Sequence, residues 1–557
     1  RHLQKVDMLV VLLTLGALFA TASPRRYHET DVSKPSVWRW EAKARHDQKI
    51  ELIFAVKQTN LRILEDFVLA TSDPDSPAYG NHLSRDTVDD LVAPTEKAKR
   101  TVWGFLAEHR LQTCKPNGNS DFILCIVDVS TAEKLLGAEY HYYRHANSGR
   151  LVVRTPHYSL PEEVSEYVDF VSPTVRFPTV QKRIVYKKNN TGTQEDNTPS
   201  RLRTLYKVGD VEGSNGKQSC TAFLEQYFEM DDLKTFWSKY YPKAKGQTIK
   251  TVGPDQTIPG VEASLDIQYI TAMGGGIDTE FWSFAGRAPD NPQNEPFLKW
   301  MYTVANTTDE DIPKVFSTSY GEAERTVSTD YMFRINNEFK KAAARGISLL
   351  FATGDFGVTD QGECPNNRFQ GQWPAGSPWV TGVGGTQDGS IKTGAPENGW
   401  DGSSGGFSDR FIRPSYQENA VAEFFNTVKK SDLPLSKYYN KTGAGFPDVA
   451  AQAVDFQVIN GGQLLPVAGT SCACPTFSGI VSLLNDLRLA KGKTTLGFLN
   501  PLFYKNAAAF QDVSHGSSQS GPGCGDLGWT AQPGWDPVTG LGTADFQKLK
   551  SIVEKLP

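Results

Sequence analysis

The sequence lacks an excess of charge of either sign. Its 557 residues include 58 lysines and arginines against 63 aspartates and glutamates, a formal net charge of -5. Without a basic excess there is no electrostatic footprint for nucleic acid, so we expect no nucleic-acid partner. Hydrophobic residues make up 39% and charged residues 22%, a composition typical of a globular protein, and the chain is too long for one ordinary domain.

Long apolar runs are also missing, apart from residues 9–20. That run follows Arg1 and Lys5 and precedes the small residues 20–22, the pattern of a secretory signal peptide. The alternatives are a buried strand or a membrane anchor, although the run is too short to span a bilayer comfortably. We assign residues 1–22 to a signal peptide with residues upstream of it, and we expect no membrane partner for the mature protein.

A secretory route permits disulfide bonds and N-linked glycans. The seven cysteines are an odd number, so at least one thiol stays free. Cys114 and Cys125 flank a short polar loop and are placed to close a hairpin. Three acceptor sequences predict glycans at Asn189, Asn306 and Asn440.

Histidine is almost absent from the larger, C-terminal part of the chain. Eight of the nine histidines lie at or before His157, and only His515 lies in residues 197–557. Serine hydrolases usually take histidine as their general base. A Ser-His-Asp enzyme is therefore disfavoured, and serine chemistry in this part of the chain needs a different base.

Strand and helix patterns divide the chain into two modules. Residues 40 to about 180 mix strand patterns, such as 51–57, with helical ones, such as 61–70, which predicts a compact α+β module. The polar segment 187–200 is predicted to be exposed and cleavable. Strand-like runs then alternate with helical segments through residues 197–557, which predicts an α/β domain with a mostly parallel sheet.

Three motifs in the second module suggest catalytic chemistry. Ser471 lies in a Gly-Thr-Ser turn that opens an apolar helix, where the macrodipole is positive. Glu262 and Asp266 have the spacing that places two carboxylates on one helical face. Asp355 follows a buried-type strand, at the end where α/β sheets bind ligands. Each has an ordinary alternative: a helix cap, a solvated acidic face and a turn aspartate.

A fourth motif predicts a metal site. Asp512 and Asp536 lie in two loops of the C-terminal region that are rich in glycine and carbonyl groups. Two carboxylates with loop carbonyls are typical of a calcium cage, and turn chemistry is the alternative.

These motifs, in this order, resemble the sedolisin or serine-carboxyl peptidase family. The resemblance covers about residues 48–545 and rests on stretches spread through most of that range. They are residues 72–80, 168–171, 223–228, 260–266, 341–346, 413–417, 447–450, 496–501 and 534–540.

The resemblance implies an α/β fold, subtilisin-like, with a mostly parallel sheet flanked by helices and preceded by an α+β ferredoxin-like prodomain. Residues 23–180 would be an activation propeptide that inhibits the enzyme, and 181–196 a linker with the maturation site. The catalytic domain with its calcium loop would be 197–557, and the mature chain would start near Asn197. The propeptide histidines suggest a further hypothesis, that their protonation in acid loosens its docking.

The same resemblance assigns roles to the motif residues. Ser471 would be the nucleophile, Glu262 its general base, Asp266 the residue that orients Glu262, and Asp355 a protonated donor to the oxyanion. One structural Ca²⁺ would be held by the carboxylates of Asp512 and Asp536, the Val513 carbonyl and carbonyls near Gln532 and Gly534. A bridge between Cys364 and Cys524 is also implied.

The implied activity is an acid-acting exopeptidase that releases tripeptides from the free N-termini of peptides and unfolded proteins, in the lysosome. The alternatives are an acid endopeptidase on the same scaffold, a secreted destination, and an inactive binding protein. The sequence departs from the family at Phe356, which would crowd the oxyanion pocket, and at Cys472 and Cys474, which are either inert or thiol-sensitive.

Overall fold

The computed structural model describes residues 24–32, 37–111, 113–146, 149–177, 195–254, 258–284, 296–360, 362–519, 524–525 and 527–557. The predicted signal peptide 1–22, most of the linker 181–196 and the acceptor Asn189 lie outside these ranges. Among the residues described, no helix is long and apolar enough to cross a membrane.

The N-terminal domain combines nine strands with five helices in the residues described. The strands are β1 (Arg25–His28), β2 (Trp38–Lys43), β3 (Lys49–Val56), β4 (Lys115–Pro116), β5 (Phe122–Asp128), β6 (His141–His145), β7 (Leu151–Arg154), β8 (Tyr158–Pro161) and β9 (Val168–Ser172). The helices are α1 (Leu61–Ser72), α2 (Arg85–Val92), α3 (Glu96–Glu108), α4 (Val129–Leu136) and α5 (Glu162–Ser165).

The main sheet of this domain is antiparallel, with the strand order β4-β5-β3-β9. Helices α1 to α3 connect β3 to β4, and α4 lies between β5 and β9, so the plan is the βαββαβ arrangement of ferredoxin-like folds. The patterns at 51–57 and 61–70 agree with β3 and α1. A disulfide joins Cys114 to Cys125, as the hairpin predicted.

The C-terminal domain carries the large sheet. Its helices are α6 (Pro199–Leu205), α7 (Met230–Tyr240), α8 (Val261–Met273), α9 (Pro296–Asn306), α10 (Thr329–Ala344), α11 (Glu418–Thr427), α12 (Thr470–Leu489), α13 (Asn500–Lys505) and α14 (Phe546–Val553). Its strands are β10 (Lys217–Phe223), β11 (Lys250–Val252), β12 (Asp278–Phe284), β13 (Val315–Thr318), β14 (Glu322–Ala323), β15 (Ser348–Ala352), β16 (Gln372–Trp373), β17 (Thr381–Asp388), β18 (Glu397–Gly399), β19 (Gly406–Ile412), β20 (Gly443–Phe446), β21 (Val449–Gln452), β22 (Phe456–Asn460), β23 (Gln463–Val467), β24 (Phe510–Gln511) and β25 (Thr543–Ala544).

This sheet has the order β11-β12-β10-β13-β15-β17-β21-β25-β24, with β18 paired to β17. The pairings from β11 to β25 are parallel, and only β18 and β24 join antiparallel. Successive residues of a strand point to opposite faces. Accordingly Val315 and Leu350 enter the core that contains α8 and α12, whereas Phe316 and Phe351 enter the core of α9 and α10.

The N-terminal domain docks on the α9–α10 layer. Phe122 and Phe170 share that hydrophobic core, and Asp121 forms buried ion pairs with Arg334 (3.3 Å) and Lys341 (3.0 Å) of α10. Burial alone would raise the pKa of Asp121, but Lys341 and Arg334 hold it well below its usual value. The interface is thus built from apolar contacts and from charges paired across the two domains.

One histidine of the N-terminal domain, His82, lies in the interface itself. Its Nε2–H donates to the Thr495 carbonyl of the C-terminal domain (2.8 Å), and its side chain is half-buried. Burial lowers the pKa of His82, and the cations Lys314 and Arg488 lower it further. Two further histidines of the N-terminal domain, His28 and His145, are buried, and burial lowers the pKa of each, that of His28 to about 4.

Helices α8 and α12 lie in direct contact because α12 has a glycine at the crossing. A Cβ at Gly479 would lie 2.5 Å from the backbone nitrogen of Gly274, at the end of α8. That distance is shorter than any real Cβ contact, so a side chain here would push the helices apart. The packing matters for the site because α8 carries Glu262 and Asp266 and α12 carries Ser471.

Candidate active site

The candidate residues converge at the carboxyl edge of the parallel sheet. Ser319 directly follows β13, Asp355 follows β15, and the N-terminus of α12 faces the same edge. Carboxyl ends of parallel strands meet at one edge, where open α/β sheets bind ligands. The resulting cleft has a volume of about 290 Å³. It is lined by Ser319–Gly321, Ala352–Asp355, Gln372, Trp373, Ala375, Thr470 and Ser471.

Glu262 and Asp266 lie one helical turn apart at the beginning of α8. Their side chains are 3% and 1% exposed, so the alternative of a solvated acidic face is wrong. Ser319 Oγ donates a hydrogen bond to Asp266 Oδ1 (2.8 Å). Glu262 lies in the first turn, where the helix dipole favours a negative charge.

Asp355 is held by the residue before Ser471. Its Oδ1 accepts the Thr470 N–H (2.7 Å) and the Thr470 hydroxyl (2.9 Å), and the same hydroxyl accepts the Gly354 N–H (3.0 Å). Oδ2 lies on the side of Gly469, where a Cβ would meet it at 2.9 Å. The loop after β15 is thereby fixed to the N-terminus of α12.

Ser471 is half-buried in the first turn of α12 and lines the cleft. The next residue, Cys472, is fully buried. Burial raises the pKa of its thiol, and the nearby carboxyl groups of Asp355, Glu262 and Asp266 raise that pKa further. The three carboxyls therefore lie near the helix turn that carries Ser471, although they come from two separate parts of the sequence, α8 and the loop after β15.

The two cysteines beside Ser471 point into the core. Cys474 is fully buried, and burial raises the pKa of its thiol to about 12, while the Ser317 hydroxyl donates to its sulfur (3.4 Å). Thiolates are the reactive form of cysteine, so both thiols stay protonated and unreactive in this environment. The structure favours the inert interpretation of Cys472 and Cys474.

Phe356 continues the turn after Asp355. Its side chain is half-buried, and its N–H donates to Ser404 Oγ (3.2 Å). Ser404 in turn donates its own N–H to the Gly354 carbonyl (2.9 Å). The serine- and glycine-rich segment 403–408 therefore lies against the turn of Asp355 and supports it.

His515 is exposed, and its carbonyl accepts the Gly399 N–H (2.7 Å), which places it beside β18. His515 is not among the residues that line the cleft of Ser471. The structure therefore gives no support to His515 as the base of a Ser-His-Asp enzyme.

The predicted calcium residues come together in one loop cluster. The Asp536 carboxylate accepts the N–H groups of Gln532 (3.0 Å) and Val538 (2.8 Å), and Asp512 accepts that of Gly534 (3.1 Å). The Val513 carbonyl accepts the hydroxyl of Thr539 (3.3 Å), which also contacts Asp536. Burial raises the pKa of Asp536 to about 7, with Asp512 contributing.

This donor set consists of oxygen atoms, which suits Ca²⁺. Within the described residues no group of three or more His, Cys, Asp or Glu side chains is placed to hold a metal ion, so a cage here depends on two carboxylates and on loop carbonyls. The Cys364–Cys524 disulfide, as expected, ties the loop after Asp355 to the region before this cluster.

Two residues that support the site were not predicted from the sequence. Ser319 binds Asp266, and Thr470 binds Asp355, but neither carries a charge or an unusual motif of its own. Only their positions could have identified these two residues. Ser319 directly follows a strand of the parallel sheet, and Thr470 is the residue before the candidate nucleophile.

Comparison with known proteins decides the family. Residues 36–177 match the family model of the pro-kumamolisin activation domain, and residues 294–495 match that of the subtilase family. Mouse tripeptidyl-peptidase 1 is 39% identical over 531 residues, covering 92% of this chain and 93% of that protein. This chain belongs to the sedolisin family of serine-carboxyl peptidases. Human tripeptidyl-peptidase 1 is 38% identical and covers 97% of this chain and 98% of its own length.

The fold agrees with that of a solved family member. The solved structure of Pseudomonas sedolisin, a serine-carboxyl proteinase complexed with two molecules of pseudo-iodotyrostatin, matches the structure of this chain with a TM-score of 0.53 at 24% sequence identity. It covers 65% of this chain and 99% of the sedolisin chain. The predicted fold class is confirmed: this chain has a subtilisin-like, mostly parallel sheet preceded by a prodomain, and it is a serine-type peptidase with an activation domain.

Proposed function

We propose that this protein is an acid-acting serine-carboxyl exopeptidase that releases tripeptides from free N-termini and is made as an inactive proenzyme. The observation that carries the proposal is the convergence of Glu262, Asp266 and Asp355 on the helix turn of Ser471. The tripeptidyl-peptidase 1 relatives, 38–39% identical over nearly the whole chain, support the choice of tripeptide release.

In this proposal Ser471 Oγ attacks the scissile carbonyl while Glu262 takes its proton and later returns it to the leaving amine. Asp266 orients Glu262, and Ser319 holds Asp266 through the hydrogen bond to Oδ1 (2.8 Å). The contact between α8 and α12 at Gly479 holds the helix of the base against the helix of the nucleophile.

Asp355 would donate a hydrogen bond to the oxyanion of the tetrahedral intermediate. Because both Thr470 donors bind Oδ1, the proton of a neutral Asp355 belongs on Oδ2. A carboxyl that must donate has to be protonated, whereas a carboxyl that acts as base has to be ionised. Since ordinary carboxyl groups titrate near about pH 4, such a pair works best in acid.

The N-terminal domain is proposed to be the inhibitory propeptide, with 23–180 as its bounds and 181–196 as the linker. Asn197 is fixed in the catalytic domain: its side chain donates to Gln452 (2.9 Å), and its carbonyl accepts the Tyr269 hydroxyl (2.7 Å). These buried contacts support a mature start near Asn197, with the cut upstream of it, and a catalytic domain spanning 197–557.

We further propose one structural Ca²⁺ held by Asp512, Asp536 and the carbonyls of Val513, Gln532 and Gly534. Its positive charge would offset the repulsion between the two carboxylates and brace the C-terminal loops. Removal of the ion with a chelator should then lower the melting temperature of the mature protein, and re-added Ca²⁺ should restore it. A melting temperature insensitive to both treatments would contradict this site.

The proposed destination is the lysosome, with secretion as the alternative, and glycans are proposed at the three acceptor asparagines. Asn306 is exposed, which suits a glycan. Asn440 is half-buried and its side-chain nitrogen donates to the Ser408 carbonyl (2.9 Å), so glycosylation there requires that contact to open.

One experiment tests the activity. Acid-matured protein and its Glu262→Gln variant are assayed from pH 3 to 8 on a tripeptidyl reporter with a free amine and on an N-blocked internal reporter. Acid-dependent cleavage of the free-amine reporter alone supports the proposal, and equal cleavage of both favours the endopeptidase alternative. Full activity of the Glu262→Gln variant would refute the mechanism.

A further inference from the structure

Helix α8, which carries the proposed base, is joined by side-chain hydrogen bonds to the hairpin formed by β22 and β23. The Gln268 side chain is fully buried. Its Nε2 donates to the Ile459 carbonyl (2.7 Å), and its Oε1 accepts the Ile459 N–H (3.0 Å). One amide thus binds both backbone groups of a single β22 residue, as a neighbouring strand would. Neither residue takes part in the proton transfers of the proposed mechanism.

Tyr269, the next residue of α8, binds the same hairpin. Its hydroxyl accepts the Gln457 N–H (2.9 Å) and donates to the Asn197 carbonyl (2.7 Å). Its ring packs against that of Phe456, with 4.5 Å between the ring centroids. The base helix, β22 and the proposed start of the mature chain therefore meet at one buried hydroxyl group.

The hairpin leads directly to the nucleophile. β22 and β23 pair antiparallel along their whole length, and Gln457 is the partner of Pro466. β23 ends at Val467, and Ser471 is the second residue of α12. A displacement of β22 against α8 would therefore be passed to the turn of Ser471 through the paired strand and the short segment 468–470.

The rotation of α8 about its axis is not set by a contrast between apolar and polar faces. Every residue of the helix after Val261 is buried, so no face is turned to solvent. Ser264 and Gln268, one turn apart, both bind the hairpin and define one face. Glu262 and Asp266, also one turn apart, define another. Hydrogen bonds on the first face therefore fix the direction in which the two carboxyls point.

We propose that Gln268 and Tyr269 are positioning residues that hold the base Glu262 in line with Ser471. The proposal rests on the function proposed above, and the two side chains act through α8 and the hairpin without touching substrate. Proton transfer requires the reacting atoms within hydrogen-bond reach, and a misplacement of about 1 Å costs up to about 100-fold in rate.

The test compares Gln268→Met with the wild type, both matured in acid, on whichever reporter the wild type cleaves. Methionine fills a similar volume but offers no partner to the two backbone groups of Ile459. We expect kcat to fall about 10- to 100-fold while KM stays within about threefold, because substrate binding does not depend on the base. In Gln268→Glu at pH 4, a buried, protonated carboxyl supplies both the donor and the acceptor and should recover most of kcat.

Gln417 provides a matched control for the loss of stability. Its side chain is also buried, and its amide binds both the N–H and the carbonyl of Gly445 (each 2.9 Å). This pair of hydrogen bonds joins β20 to the turn before α11, which are separate elements from α8 and the hairpin. Gln417→Met should therefore lower the melting temperature as Gln268→Met does, but should keep kcat near the wild-type value.

Tyr269→Phe is a milder second variant, and it decides the question if Gln268→Met does not fold. It removes only the hydroxyl shared by Gln457 and Asn197 and keeps the ring that packs on Phe456. We expect kcat to fall about tenfold, again with KM little changed.

The outcomes separate this inference from the proposed function. Wild-type enzyme that cleaves neither the free-amine nor the N-blocked reporter overturns the proposed function and this inference with it. An active wild type, together with equal kcat in Gln268→Met and Gln417→Met, assigns Gln268 a merely structural role and overturns the inference alone. If Gln268→Met does not fold, an unchanged kcat in Tyr269→Phe overturns it as well.

Discussion

Replacement of Asp355 tests the oxyanion role most directly, because asparagine can imitate the protonated acid. The Oδ1 atom accepts two hydrogen bonds from Thr470 (2.7 and 2.9 Å), and an asparagine oxygen can accept both. The side-chain NH₂ then takes the position of Oδ2. An amide donates at every pH, so Asp355→Asn retains a donor for the oxyanion where the carboxyl group loses its proton.

The magnitudes follow from what each variant removes. Asp355→Ala deletes the oxyanion donor, a loss of about 10²–10³ in kcat, or about 2.7–4 kcal/mol. It also leaves the two Thr470 donors without their acceptor, which costs stability of about 1–3 kcal/mol for each buried group. Asp355→Asn avoids both losses, and we expect it to keep far more of kcat than the alanine variant.

The assay is a pH profile. We measure kcat and KM of the acid-matured variants on the free-amine tripeptidyl reporter from pH 3 to 8, with a melting curve for each protein. Under the proposed mechanism, activity should fall as Asp355 ionises, so the alkaline limb of kcat should report this group. In Asp355→Asn that limb should move to higher pH, while the acid limb stays in place.

Two results would refute the reasoning. If Asp355→Asn has the same alkaline limb as the wild type, Asp355 is not the group that must be protonated. If Asp355→Ala folds and keeps kcat within about tenfold of the wild type, no oxyanion donor was lost.

Three further predictions concern the supports of the site. Ser319→Ala removes the hydroxyl that holds Asp266 and should lower kcat about tenfold, or about 1.4 kcal/mol, without a matching change in KM. The pKa of His82 is lowered in the docked prodomain, so the released prodomain binds more protons, and docking weakens as pH falls below about 6.5. His82→Gln should therefore shift the midpoint of proenzyme activation to lower pH, whereas His46→Gln, an exposed site, should not; equal midpoints would remove His82 as a sensor. Gly479→Ala should destabilise the catalytic domain by about 1–3 kcal/mol, seen as a lower melting temperature, since its Cβ meets the backbone of α8.

Much of the fold follows from local patterns in the sequence. The strand pattern at 51–57 corresponds to β3, and the helical pattern at 61–70 corresponds to α1, because the spacing of apolar residues reports which faces are buried. Alternation of strand-like and helical segments also predicted the parallel sheet. The ends of elements are less well defined: the pattern at 51–57 begins two residues after the start of β3 and ends one residue beyond it.

The chemistry of the site was accessible for a different reason. A chain with one histidine in residues 197–557 restricts the choice of base, and the i, i+4 spacing of Glu262 and Asp266 supplies an alternative that a helix must place on one face. What spacing left open was the environment. The same pair fits a solvated helix face, and only the tertiary packing around α8 buries both carboxylates.

The sequence by itself determined the candidate groups: Ser471 at a helix start, the carboxylate pair, and Asp355 after a strand. Only the tertiary structure decided that they meet, that Ser319 and Thr470 hold them, and that Glu322 pairs with Arg176 of the N-terminal domain. The physical reason is that these contacts join residues far apart in the chain. Their existence depends on the order of strands in the sheet and the docking of two domains, which no local pattern of side chains encodes.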